Sequence, residues 1–303
     1  MSLNALNNTD WENSEKLAKA MQEINWSDPA ERREVALTVI KFVKEDITKE
    51  DFIPVIADVE NFPLGQTPQW IVKRGMKAYV HEPGSIAPRS FITQKTFTMQ
   101  TEMVSVAYEI ELGQLRAGRY GSLSEIRKMM TDELVNQRYQ AVWNVLRGSI
   151  TAGTNYLPAL TTNSLQAKKD CLISGLDYCE DQQGGPPKAI IGRRSQLGFI
   201  TELPGYAETT KTKIDNDGFL GAFRGIPVIA LRQYTDVYGL NQIDADSIFI
   251  VKPGTIKVGR TQEVQVEEAF NIDDLMWHWH AHERYGTLAI NAERNFRIEF
   301  TDI

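Results

Sequence analysis

Phe97-Thr98-Met99-Gln100-Thr101-Glu102-Met103-Val104-Ser105-Val106-Ala107-Tyr108 reads as extended chain. Residues two apart share a face of a strand. Phe97, Met99, Thr101 and Met103 alternate with Thr98, Gln100 and Glu102, and Val104, Val106 and Tyr108 then carry the even face. Upstream, residues 71–81 are also rich in β-branched and aromatic side chains. Between the two runs lies Glu82-Pro83-Gly84-Ser85-Ile86-Ala87-Pro88, whose Pro and Gly punctuate a tip. The spacing predicts a long antiparallel hairpin over about 68–112. A two-stranded ribbon with mixed faces is marginal alone, so this one requires a partner surface. A compact catalytic core has no need of such an arm.

Downstream, Ser122-Leu123-Ser124-Glu125 has the pattern of a capping box, in which hydroxyl and carboxylate satisfy each other's backbone donors. Leu123, Ile126, Met130, Leu134, Val135, Tyr139, Val142 and Leu146 continue an apolar stripe to Gly148. A helix over 122–147 at 1.5 Å per residue is about 40 Å long. Ser164 begins a further helix, and Ala189-Ile190-Ile191-Gly192 is a short buried strand. Residues 193–200 read as a short helix. The run Gly218-Phe219-Leu220-Gly221-Ala222-Phe223-Arg224-Gly225-Ile226-Pro227-Val228-Ile229-Ala230-Leu231 places a glycine turn before an apolar strand. Residues 247–303 are strand-like throughout.

Upstream of the hairpin, residues 10–24 form a loosely amphipathic helical pattern. Asp28 as N-cap with Pro29 at the first position starts a second helix. It carries Val35, Val39, Phe42 and Val43 on one face and is expected to end near Asp46. These helices are short and charged, and read as an arm that packs on something else.

Composition narrows the function. The chain has 303 residues, 42% hydrophobic and 24% charged, which is an ordinary globular balance. No apolar run approaches the roughly 20 residues of a membrane span. The N-terminus lacks the basic and apolar regions of a signal peptide, so a cytoplasmic site of synthesis is expected. Cys171 and Cys179 lie eight apart in a helical stretch, about 12 Å along its axis, too far for a disulfide. A net charge of −7 argues against gripping nucleic acid phosphates as the main task. Residues 1–60 carry a net −6 and residues 71–100 a net +4. The hairpin's cations are Lys73, Arg74, Lys77, Arg89 and Lys95, and they suit electrostatic pairing between subunits.

Chemical motifs are sparse. Trp277-His278-Trp279-His280-Ala281-His282-Glu283 puts three of the four histidines on one strand face. With a further ligand such a set holds zinc or iron. Its other reading is a packed strand with Trp277 and Trp279 on the opposite face. No completing ligand motif is present, so no metal site is expected. The acid pairs Glu109/Glu111, Glu267/Glu268 and Asp273/Asp274 read as solvated. There is no nucleophile elbow, Cys-x-x-Cys, phosphate loop or dinucleotide fingerprint. No catalytic residue and no cofactor are expected.

The order of elements resembles the major capsid proteins of tailed bacteriophages, with the Hong Kong 97 type of fold. The runs 220–228 and Ile250-Val251-Lys252-Pro253-Gly254-Thr255-Ile256 carry the resemblance, behind a long hairpin and a capped helix. It implies an α+β chain divided into an N-terminal arm (1–67), an extended β-hairpin loop (68–112), a peripheral domain with a long spine helix (113–154), an axial α/β domain (155–245) and peripheral-domain strands (246–303). It implies a non-enzymatic subunit that assembles with itself into pentamers and hexamers of an icosahedral head shell. The shell encloses double-stranded DNA without sequence-specific binding, with no membrane partner. A virion location, assembly in the host cytoplasm, a separate scaffolding protein and a portal follow from the same resemblance. Lys73, Arg74, Lys77, Arg89 and Lys95 are the expected assembly contacts. Covalent Lys–Asn cross-links occur in some members, but nothing in this sequence singles out such a pair. Two alternatives stand beside this reading: an encapsulin-type compartment holding protein cargo, and a metalloenzyme using His278, His280 and His282.

Overall fold

In the computed structural model, residues 23–25, 28–74, 92–111, 113, 121–160, 164–204, 219–231, 243, 246–271 and 276–300 are described. The helix expected over 10–24 lies almost wholly outside them, as does the hairpin tip at 82–88.

Helix α1 spans Pro29–Glu50. The Asp28 carboxylate accepts from the Ala30 N–H at 2.9 Å, and Pro29 occupies the first position, where no N–H is needed. The helix runs four residues past its expected end because Ile47 extends the stripe of Val35, Val39, Phe42 and Val43, all buried. Asp51 caps it with its N–H on the Ile47 carbonyl. The Asp51 carboxylate then accepts from the Ile53 N–H at 2.9 Å at the start of α2, Ile53–Ile56. Strand β1 (Asp58–Asn61) follows, then the pair β2 (Gln69–Arg74) and β3 (Thr93–Thr98), then β4 (Glu102–Glu111). Helix α3 covers Gly121–Ser149, 29 residues and about 44 Å. Next come β5 (Tyr156–Leu160), α4 (Leu165–Asp181), β6 (Ala189–Arg193), α5 (Arg194–Leu197) and a 3-10 turn at Gly198–Glu202. Ser164 caps α4, accepting from the Ala167 N–H. The chain ends in β7 (Phe219–Phe223), β8 (Ile226–Leu231), β9 (Ser247–Val251), β10 (Ile256–Asn271), β11 (Met276–Ala289), a 3-10 turn and β12 (Phe296–Phe300).

Three sheets form. One has the order β1-β10-β11-β4, the second β5-β12-β9-β6-β8-β7, and the third is β2-β3 alone. Two pairings depart from the sequence reading. The hairpin's second strand was expected to run to residue 112, but β3 stops pairing with β2 at Thr98. β4 instead pairs antiparallel with β11, Glu102 opposite Tyr285 through Glu111 opposite Met276. The switch of apolar residues from odd to even positions marks the corner. There Gly286 has no room for a side chain, since a Cβ would collide with the Gln100 carbonyl. Second, the strands between residues 247 and 300 are divided between two sheets. β9 and β12 belong to the six-stranded sheet, while β10 and β11 belong to the four-stranded one.

The six-stranded sheet is buried on both faces. Ile191, Ile229, Phe249 and Val251 face a core shared with α1, α3 and the four-stranded sheet. Ile190, Val228, Ile248, Ile250, Ile298 and Phe300 face a second core under α4. That is why Ile248-Phe249-Ile250-Val251 is a continuous apolar run rather than an alternating one. Trp143 of α3 meets Phe249 edge to face, ring centroids 4.8 Å apart. On the other side α4 approaches so closely that a Cβ on Gly175 would lie 2.8 Å from Ile250 and Phe296. Arg224 and Gly225, both with positive φ, make the tight β7–β8 turn.

Among its described residues, α1 packs on α3 and β10 of its own chain, and its stripe is part of the main core.

Candidate assembly surfaces

The hairpin stands on a small core of its own. Trp70, Met99 and Ile290 are buried together, with Phe62, Val72, Phe97 and Leu288 against them. The Phe62 and Trp70 rings meet edge to face at 5.4 Å. Trp70 lies opposite Phe97, and Val72 opposite Lys95. Directly opposed residues share a face, so this face carries Trp70, Val72, Phe97 and Lys95. The Lys95 ammonium sits 4.7 Å from the Phe97 ring centroid, a cation–π contact. A cavity of about 470 Å³ separates this face from the turn after β11, lined by Val72, Lys95, Phe97, Asn291 and Glu293 among others.

The opposite face carries Ile71, Lys73, Gln94 and Thr96. Ile71 is 56% exposed, and Lys73 is exposed beside it. Lys73 and Lys95 therefore point to opposite sides of the ribbon. Arg74 lies in register with Thr93 at the last described pair, its side chain outside the described set. Lys77 and Arg89 lie outside the described residues altogether.

Several acids of the leading segment are paired within the chain. Asp46 binds Arg127 at 2.5 Å. Asp58 binds Lys188 at 3.3 Å and Lys257 at 3.1 Å, and Glu60 binds Lys257 at 3.2 Å. Burial pushes the Asp58 carboxyl up, but the Lys257 and Lys188 ammonium groups more than offset this and hold it below its ordinary value. Asp58 and Glu60 tie β1 to Lys257 of β10, and Asp46 ties α1 to Arg127 of α3. Exposed acids remain on the outer face of the four-stranded sheet, at Glu109, Glu111 and Glu267.

The histidine strand is β11, central in that sheet. Trp277 and Trp279 are buried on the core side, edge to face at 4.9 Å. His278 Nδ1 lies 3.0 Å from Glu109 Oε1 on β4. The His280 and His282 rings are 5.2 Å apart, and His282 is buried. Among the described residues, no group of three or more His, Cys, Asp or Glu has the geometry to hold a metal.

The sequence reading missed a buried ionic cluster. Arg138 Nε donates to Glu283 Oε1 at 2.8 Å, and Nη2 donates to Glu283 Oε2. Arg138 Nη1 donates to Asp51 at 2.6 Å. Glu283 is fully buried. The cluster ties α3, β11 and the α1–α2 joint together. Burial, then the charge of Glu283, pushes the neighbouring Tyr285 phenol well above its usual range. One signal was available: Arg138 stands four residues after Leu134 and four before Val142, on the apolar stripe. Lys252 is a second missed residue. It is buried, and its ammonium donates to the Cys179 and Gln182 carbonyls at the end of α4, where the helix dipole favours a cation.

The sequence matches no protein-family model and no curated protein. Its structure is similar to that of a virus-like particle from Pyrococcus furiosus, with 15% identity and a TM-score of 0.58, over 88% of this chain and all of that one. A structure from Mycobacterium phage Bobi is similar with 12% identity and a TM-score of 0.59, over 84% of this chain and 92% of that one. The capsid of cyanophage P-SCSP1u gives 12% and 0.55, over 82% and 87%. The chain has the α+β fold of these particle and capsid structures, the Hong Kong 97 type. Among the described residues no helix is long and apolar enough to cross a membrane.

Proposed function

We propose that the chain is the major subunit of an icosahedral shell, the head of a tailed bacteriophage enclosing double-stranded DNA. The observation that carries this is the β2–β3 hairpin. It leaves the body on a small core and exposes Ile71 and Lys73 on one face, on a fold shared with capsid structures. Single contacts of this kind are weak, about 0–1 kcal/mol for an exposed ion pair, but a shell repeats them in every copy. The partner is the chain itself, in pentamers and hexamers, with a scaffolding protein and a portal assisting in the host cytoplasm. The division into arm, extended loop, peripheral domain with α3 as spine, and axial domain is part of this reading. β9 and β12 then belong with the axial strands they pair with. The subunit has no catalytic role, and His278, His280 and His282 hold no metal.

Expression of the chain with and without its genomic neighbours, followed by negative-stain microscopy, tests the proposal. Closed shells or capsomer rings are expected, and DNA in the filled particle distinguishes a phage head from a compartment packed with protein. A strictly monomeric chain at every salt concentration ends the idea. Replacing Lys73, Lys77 and Lys95 by Glu should lower shell yield sharply while leaving the far-UV spectrum of the subunit unchanged. Elemental analysis of untagged protein should find no stoichiometric zinc or iron, and about one equivalent would favour the metalloenzyme.

A further inference from the structure

Arg260 leaves β10 at a bulge. The register with β11 slips between Arg260 and Gln262 and again between Gln262 and Gln265. Bulges re-aim side chains. Here the guanidinium lines a cleft of about 300 Å³ between the end of α1, α2 and β10, walled by Asp51, Pro54, Arg138, Glu263 and Val264. That volume lies at the small end of ligand sites.

A guanidinium presents N–H donors in a fixed fork. Among the described residues the nearest carboxylate oxygen to Arg260 Nη2 is Asp51 Oδ2 at 3.8 Å, beyond hydrogen-bond length. That oxygen already accepts from Arg138, and Asp51 Oδ1 accepts from Ile53. Arg260 Nε is buried with no acceptor among the described residues. The side chain as a whole is 21% exposed and lines the cleft. Arg138 and Arg260 face Asp51 and Glu283, so charge in the cluster is balanced. Among the described residues Arg260 Nε has no acceptor and Nη2 has only the distant Asp51, which leaves the fork open to an acceptor from outside them. A planar or tetrahedral oxyanion matches an arginine fork in a way a lysine cannot reproduce.

We propose that this cleft binds a small oxyanion of the phosphate or carboxylate class on the Arg260 fork, against the apolar wall of Pro54 and Val264. Exposed Glu263 at the rim weakens the site. Two sources share this chemistry: a free oxyanion in solution, and a carboxylate side chain from a second copy of the chain.

The test is the melting temperature of the full-length chain as inorganic phosphate replaces chloride at constant ionic strength. A ligand that binds only the native state raises the melting temperature with its concentration. A saturable rise is expected in the wild type, lost in Arg260→Gln and reduced in Arg260→Lys. Glu263→Gln should lower the half-saturating phosphate concentration about two- to fivefold, the range of an exposed charge contact. That gain of binding keeps the proposal testable if Arg260→Gln fails to fold. The second source is tested in a particle reconstruction, where a neighbour's carboxylate should lie within hydrogen-bonding distance of Arg260. A phosphate effect identical in wild type, Arg260→Gln and Glu263→Gln overturns the proposal. So does the absence of any phosphate effect together with an unfilled fork in the particle. The phosphate arm needs no assembled particle, so its failure is distinct from failure of the shell reading.

Discussion

The six-stranded sheet and the β2–β3 hairpin are both β-structure, but they are stabilised differently. The sheet is covered on both faces, with alternate residues of β9 entering two separate cores. The hairpin has one small cluster at its base, and its other face shows Ile71 to solvent. A residue in the sheet is constrained from every side and serves folding. A residue on the exposed hairpin face costs the subunit almost nothing to change and is free to serve association. The difference separates stability from assembly within one chain.

Trp143→Ala removes the ring that holds α3 against Phe249 and should destabilise the subunit by about 3–5 kcal/mol, read in denaturant melts. A loss below about 1 kcal/mol would mean that the two-faced burial of this sheet is not what holds it. Glu283→Gln leaves Arg138 with an incomplete set of acceptors in a buried site, and a loss of about 3 kcal/mol is expected. Replacing Arg138, Glu283 and Asp51 together by Met, Leu and Asn should recover most of it, because breaking a buried ionic cluster costs more than removing all its charges. Failure of the triple variant to recover would assign the cluster a packing role instead.

On the hairpin the expectation reverses. Ile71→Ser should change subunit stability by no more than about 0.5 kcal/mol, yet reduce shell yield in a sedimentation assay. A large loss of stability with normal assembly would reverse the roles of the two regions. The smallest effect concerns pH. The Asp58 carboxyl is held below its ordinary value, so its stabilising contribution is present above the unfolded carboxylate range and is lost as pH falls through the folded value. Asp58→Asn should therefore lower the melting temperature slightly at neutral pH, leave acid pH nearly unchanged, and so flatten the acid limb. The group is 36% exposed, which keeps the contribution small.

How much was legible varies with the range of the interaction. The Asp28 cap, the Ser164 cap, the stripe of α3 and the inward Trp277 and Trp279 all depend on neighbours a few residues away. Period and capping chemistry declare these directly. Lys73 and Lys95 were legible as cations but not as lying on opposite faces, since that depends on the register with which β2 meets β3.

The elements, their order, their apolar faces and the resemblance to a capsid fold can therefore be read from local stretches of chain. A period-two pattern says which face of a strand must be buried, but not which strand will lie beside it. Tertiary structure alone decided that β4 leaves the hairpin for β11, and that β9 and β12 join the six-stranded sheet while β10 and β11 do not. It also brought Arg138 to Glu283 across 145 residues of chain. Partner choice of this kind is settled by burying several apolar faces and pairing buried charges at once, and no local stretch of the chain contains that information.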